Sequence, residues 1–156
     1  MRIIAHRGNV DGPNPELENS PAHIDQAIQS GFDAEVDVWV MPGDASVWLG
    51  HDAPMYPVPW EFLTSRRHRL WCHAKNLRAM AALFDHDLNA FAHDFDDRVF
   101  TTHGFVWTFP GRCIIPGHRV VCVLPGADRR LDDEDMRQCH AICTDYCRRL
   151  VAGGPR

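Results

Sequence analysis

The chain has 156 residues, 45% of them hydrophobic and 24% charged, with a formal net charge of −5 at pH 7. These values describe one ordinary globular domain, spanning residues 1–156, with enough apolar material for a core of its own. The sequence has no basic stripe or RNP-like aromatic run, which argues against nucleic acid as a partner, and no apolar run long enough for stable membrane insertion. The opening "MRIIAHRG" lacks the apolar stretch of a signal peptide, so cytoplasmic residence is the expectation.

In chain order, "RIIAH" reads as a first strand ending at His6-Arg7-Gly8, followed by the polar loop "NVDGPNPELEN". "SPAHIDQAIQSG" carries the marks of a helix: Ser20 to cap it, Pro21 at its first position, Ile24, Ala27 and Ile28 on one face, and Gly31 to end it. "DAEVDVWV" is a strand by its Val and Trp content, "MPGDA" a turn, and "SVWLGH" a third strand ending at His51-Asp52. "PWEFLTSRR" predicts a short helix, "RLWCHA" a fourth strand leading to Lys75, and "NLRAMAALFDHD" a helix with Leu77, Met80, Ala81 and Phe84 on one face. "NAFAHD" follows as a strand, then "VFTTHGFVWTF", strand-like but interrupted by Gly104, then the strand "RVVCVLPG". A helix is expected from about Asp132 in "LDDEDMRQCH", then a short strand "AICTD" and a last helical turn in "YCRRLVAGG".

Eight strand segments alternating in part with helices argue for a parallel sheet. They allow an α/β fold of the compact (β/α)8 TIM type with several helices shortened or missing. Such barrels usually need about 200 residues or more, so an open doubly wound sheet is the structural alternative.

Strand two poses a physical problem. Side chains at i and i+2 share a face, so Glu35 and Asp37 point the same way along an apolar strand. Two neighbouring carboxylates repel each other and resist leaving water. Either a cation sits between them or the strand lies at a wet edge. Polar residues also gather at the ends of other strands: His6-Arg7, His51-Asp52, His73 with Lys75, His93-Asp94 and Thr144-Asp145. In a parallel barrel those ends form one rim, where barrel active sites lie. Lys75 is the only lysine in a chain with 16 Lys and Arg residues. Of six cysteines, Cys139, Cys143 and Cys147 are four apart, but CxxxCxxxC lacks the usual zinc-knuckle spacing, and buried thiols are the better reading.

The segments "AHRGN", "PELENSPAHIDQAIQSGFDAEVDVWV" and "GHDAP" together resemble the glycerophosphodiester phosphodiesterases, of the phospholipase C-like phosphodiesterase barrels. "HAK" is similar to that family's Glu-x-Lys strand, and "AICTDY" to its closing Ile-Thr-Asp strand. The resemblance implies hydrolysis of a small-molecule phosphodiester. It gives His6 and His51 as the acid/base pair, Arg7 and Lys75 as phosphate-binding groups, and Glu35 and Asp37 as ligands of Mg²⁺ or Ca²⁺. Glu18 is expected to join the metal site or to orient Arg7, and Asn19 to support the loop.

Two departures stand out. His73 occupies the position of a glutamate ligand in the family; imidazole favours softer ions, which brings in Mn²⁺ or Zn²⁺. It also leaves a non-catalytic relative that binds a phosphorylated small molecule as the alternative. A different alternative is a zinc hydrolase using His51, His73 and His93. The second departure is the short segment between His51 and strand four, which predicts an open site. Shortened helices leave apolar wall uncovered, which predicts a homodimer.

Overall fold

The computed structural model describes residues 1–43, 45–109, 117–123 and 137–152. The strands are β1 (Arg2–Ala5), β2 (Asp33–Val40), β3 (Val47–Leu49), β4 (Tyr56–Val58), β5 (Leu70–Ala74), β6 (Ala90–Phe91), β7 (Arg98–Phe100), β8 (Val106–Thr108), β9 (Val120–Val123) and β10 (Ala141–Thr144). The helices are α1 (Pro21–Gln29), α2 (Trp60–Thr64), α3 (Leu77–Asp85) and α4 (Cys147–Val151), and His6–Gly8 form a 3₁₀ turn. The helix expected from Asp132 lies outside the described residues as far as 136.

The fold is α/β, built on one ten-stranded sheet. Strands β6, β5, β2, β1, β10, β9 and β8 pair in that order, each parallel to the next. The closed barrel expected from the sequence is not found: among the described residues no ladder joins β6 to β7 or β8. The segment 99–109, read as one strand, is instead the antiparallel hairpin β7–β8 turning at Gly104, whose φ of 76° suits glycine. β6 has only two residues, too few for a long ladder. Thr102 bridges the seam: its N–H donates to the Ala90 carbonyl (2.8 Å), and its hydroxyl accepts from Ala90 N–H (2.9 Å) and donates to the Leu88 carbonyl (2.7 Å).

A second difference concerns the third strand. β3 runs antiparallel to β2, and β4 antiparallel to β3. β1 pairs with β2 only at Asp33 and Ala34, and β3 pairs from Val38 to Val40. β5 occupies the opposite edge from Ala34 to Val38. β3 therefore takes over the edge that β1 leaves at the 3₁₀ turn. The chain folds back between Met41, whose N–H donates to the Ser46 carbonyl (2.9 Å), and β3, and His51 returns toward the middle of β2.

The alternation of β2 divides the interior. Ala34, Val36 and Val38 are wholly buried and pack with Ile24 of α1, Leu63 of α2, Leu83 of α3, and Leu70 and Cys72 of β5. Burying each Val, Leu or Ile side chain among them contributes about 1.5–3 kcal/mol. On the concave side lie Ile4, Trp71, Phe91, Trp107, Val121, Val123, Ala141 and Cys143. Ser20 and Asn76 accept hydrogen bonds from the N–H groups of His23 and Ala79, fixing the starts of α1 and α3. In α3 the buried residues are Ala79 and Leu83, whereas Leu77 and Phe84, expected on the buried face, are 85% and 66% exposed. Ala79 and Leu83 pack in the core cluster with Met80 and Ala82 against it, which leaves Leu77 and Phe84 outward. Cys139, Cys143 and Cys147 fall into three separate apolar clusters, so they do not converge on one ion.

Candidate active site

Glu35 and Asp37 both project to the concave side of β2, at 2% and 1% exposure. Asp37 is surrounded by donors. Its Oδ1 lies 2.9 Å from His73 Nδ1 and 3.5 Å from Lys75 Nζ. Its Oδ2 accepts from Asn19 Nδ2 (2.9 Å) and lies 3.4 Å from Arg7 Nε. Its own N–H donates to Asn19 Oδ1 at 2.8 Å. Burial alone raises its pKa, but the hydrogen bond and charge of His73, with Lys75 and Asn19, hold it far below the usual carboxylate range. Glu35 is in the opposite condition. It accepts one hydrogen bond, from the N–H of Arg7 (3.0 Å), and burial followed by the Asp37 charge pushes its pKa up.

The His-Arg-Gly turn produces that contact. Arg7 adopts a left-handed conformation (φ 51°), a strained choice for a side-chain-bearing residue, and it aims the Arg7 N–H at Glu35. Gly8 follows at φ 86°, where a Cβ would lie 2.9 Å from the His23 ring, so only glycine fits. His6 Nδ1 lies 3.0 Å from Asp145 Oδ1 at the end of β10. A carboxylate only accepts, so Nδ1 carries the proton. Burial lowers the His6 pKa, but Asp145 and Glu35 outweigh it and raise it. The Asp145 pKa is lowered against its burial by hydrogen bonds from His6 and Asn9.

His51 arrives from β3. The Gly50 N–H donates to the Asp37 carbonyl (3.1 Å), and the Gly50 carbonyl accepts from Trp39 Nε1 (2.7 Å). Gly50 has φ 150°, and a Cβ there would collide with the Ala53 carbonyl oxygen. His51 is partly exposed and bonds Asp52 through Nδ1 at 2.7 Å. His73 and Lys75 come from the end of β5. His73 stacks on Phe91 (5.0 Å) and on His93 (4.8 Å), both at 6°.

His6, Arg7, Glu35, Asp37, His51, His73 and Lys75 line a single pocket of about 410 Å³, together with Phe91, His93, Trp107 and Phe109. Among the described residues, Glu35, Asp37 and His73 form the one group of three such side chains whose ligand atoms lie within 4.8 Å of one another. Two carboxylates and an imidazole suit Mg²⁺, Mn²⁺ or Zn²⁺. Glu35, buried beside a second carboxylate and holding a single backbone donor, is the observation in favour of a cation, and the residues fit one. His51 and His93 are not in this group. Glu18 is not in it either: its Oε2 accepts from Arg7 Nη1 (3.0 Å) and its Oε1 from Asn9 Nδ2 (2.9 Å), so it orients the arginine.

Sequence reasoning did not single out Asp145, Asn19 or Asn9 as site residues, although all three are buried polar groups bonded to site residues. Asp145 was visible as a polar residue ending a strand. Asn9 and Asn19 sit in a loop whose folding back no local pattern reveals.

No known family profile matches the chain, and no curated protein matches it. Among solved structures, the fold is similar to the crystal structure of a candidate glycerophosphodiester phosphodiesterase from Galdieria sulphuraria, with a TM-score of 0.50 at 11% identity. The match covers 97% of this chain and 96% of that one. At that identity the likeness is one of fold.

Proposed function

We propose that this chain is a metal-dependent hydrolase of small-molecule phosphodiesters, of the glycerophosphodiester type. The observation that carries the reading is the convergence of Glu35, Asp37 and His73 with His6, Arg7, His51 and Lys75 in one pocket. The fold likeness supports it. None of the described helices is long and apolar enough to cross a membrane.

The chemistry follows from the charges. A phosphodiester anion repels nucleophiles, so its charge must be met by cations in the transition state. Arg7 and Lys75 bind the non-bridging oxygens, Arg7 with its guanidinium held by Glu18. Glu35, Asp37 and His73 would hold a divalent cation, which when bound would supply further charge neutralisation. His6, with Nδ1–H on Asp145, keeps Nε2 for proton transfer, and His51 does the same from the other strand.

The test is turnover of bis(p-nitrophenyl) phosphate and of glycerol phosphodiesters by purified protein with Mg²⁺, Ca²⁺ or Mn²⁺. The reading expects activity that EDTA abolishes and that Glu35→Gln and His6→Ala each remove. One observation favours a second reading, a non-catalytic phosphate-ester binder. Asp37 is already surrounded by Arg7, Lys75, His73 and Asn19, so the chain itself supplies positive charge at the site. Binding of glycerol phosphate without turnover in any metal would select it.

A further inference from the structure

Below the pocket lies a completely buried amide, Asn9. Its Nδ2 donates to two carboxylates: Asp145 Oδ1 at 2.9 Å and Glu18 Oε1 at 2.9 Å. Its Oδ1 faces His23 Nε2 (3.1 Å) and accepts from the N–H of Asn14 (3.2 Å). Each carboxylate passes the constraint to a different working group, Asp145 to the His6 ring at 3.0 Å and Glu18 to Arg7 Nη1 at 3.0 Å.

We propose that Asn9 is a positioning residue that sets the ring of His6 and the guanidinium of Arg7 together, through one amide shared between Asp145 and Glu18. The proposal deepens the phosphodiesterase reading, and its kinetic consequences rest on that reading; the geometry does not.

The residue type follows from the surroundings. Two carboxylates converge on this point, so the group between them must offer two donors. An amide nitrogen does so without adding charge. Aspartate has the same shape and no donor: it would place three carboxylates in one closed space. Serine has a single donor and a shorter reach. The turn at Gly8 and the hydrogen bond from Asn9 N–H to the His6 carbonyl (2.9 Å) deliver the amide to this spot. The Asn9 carbonyl also faces the thiol of Cys147 at 3.5 Å, and Gly12 N–H bonds the Asp145 carbonyl at 2.7 Å. The loop and the β10 end are thereby fixed against each other on both sides of the amide.

Two arms test the proposal. The first uses NMR of the ¹⁵N-labelled protein and needs no activity. In the unmodified protein both Asn9 side-chain amide protons are expected downfield and protected from exchange. Asp145→Asn is expected to move one of them and Glu18→Gln the other, and Asn9→Asp to change the His6 ring tautomer from Nδ1–H to a mixture. The second arm is kinetic, with bis(p-nitrophenyl) phosphate. Asp145→Asn is expected to lower kcat by about 10²-fold with KM nearly unchanged. Glu18→Gln is expected to raise KM about tenfold with a smaller effect on kcat. Asn9→Asp is expected to do both. Asn9 amide protons that exchange freely and ignore both carboxylate variants overturn the proposal even if Asn9→Asp fails to fold. A folded Asn9→Asp protein with an unchanged His6 tautomer, kcat and KM also overturns it. Absence of turnover in the unmodified protein with the NMR pattern intact would instead remove the phosphodiesterase reading and leave the positioning network standing.

Discussion

Glu35 and Asp37 stand two residues apart on one face of β2 and carry opposite electrostatic burdens. Asp37 has donors on both oxygens and a depressed pKa; Glu35 has a single backbone donor and a raised one. A carboxyl whose folded pKa is raised costs stability once the pH exceeds its unfolded value, because folding then buries a charge. In the metal-free protein Glu35→Gln is therefore expected to raise Tm at pH 7. Asp37→Asn is expected to lower stability by about 3–5 kcal/mol, since it strands Arg7, Lys75 and His73 around a neutral group. Thermal melts in EDTA check both.

The same asymmetry predicts how metal acts. A divalent ion that binds only the folded state stabilises it in proportion to its saturation. Mn²⁺ at about 100 times its Kd should add about 2.7 kcal/mol to the unmodified protein and far less to Glu35→Gln. Equal shifts in both would place the ion elsewhere.

The His6–Asp145 pair predicts a pH window. The Asp145 pKa is depressed, so its contribution is present above its ordinary value of 3.8 and lost as pH falls through its lower folded value. The His6 pKa is raised, so its contribution is present below 6.5 and lost as pH rises through its higher folded value. The stability difference between the unmodified protein and Asp145→Asn should peak between those two values, at about 1–3 kcal/mol for a charged hydrogen bond. It should shrink on both sides, as denaturant melts at pH 3, 5.5 and 9 would show.

Gly50 fixes where His51 stands. Gly50→Ala forces a Cβ against the Ala53 carbonyl and must shift the His51 segment. The expected result is a loss of kcat of about 10²-fold with a far-UV spectrum unchanged. Full activity in this variant would remove His51 from the reaction.

Much of this was legible in the sequence. The alternation of β2 revealed the carboxylate pair, Ser20-Pro21 marked the start of α1, and the polar ends of β1 and β5 named much of the pocket. What was not legible depends on tertiary direction. Nothing in "SVWLGH" says that β3 runs antiparallel, yet that reversal is what brings His51 to the pocket. The hairpin at Gly104 hid inside an apolar run, because a run of Val, Phe and Trp reads the same straight or folded. Glu18 lay within the expected metal set but is held by Arg7 and Asn9, a choice set by distances that local pattern does not encode. Leu77 and Phe84 matched a helical face, but Ala79 and Leu83 are the residues that meet the core, a rotation that small and large apolar residues at mixed spacing do not specify.

The proposed reading requires Glu35, Asp37 and His73 to hold a divalent cation in the pocket. Anomalous diffraction from crystals soaked in Mn²⁺ addresses it most directly. A strong peak bonded to all three side chains is expected, absent in Glu35→Gln crystals. A map with no peak among them, in crystals where Arg7 and Lys75 still pair with Asp37, would contradict it.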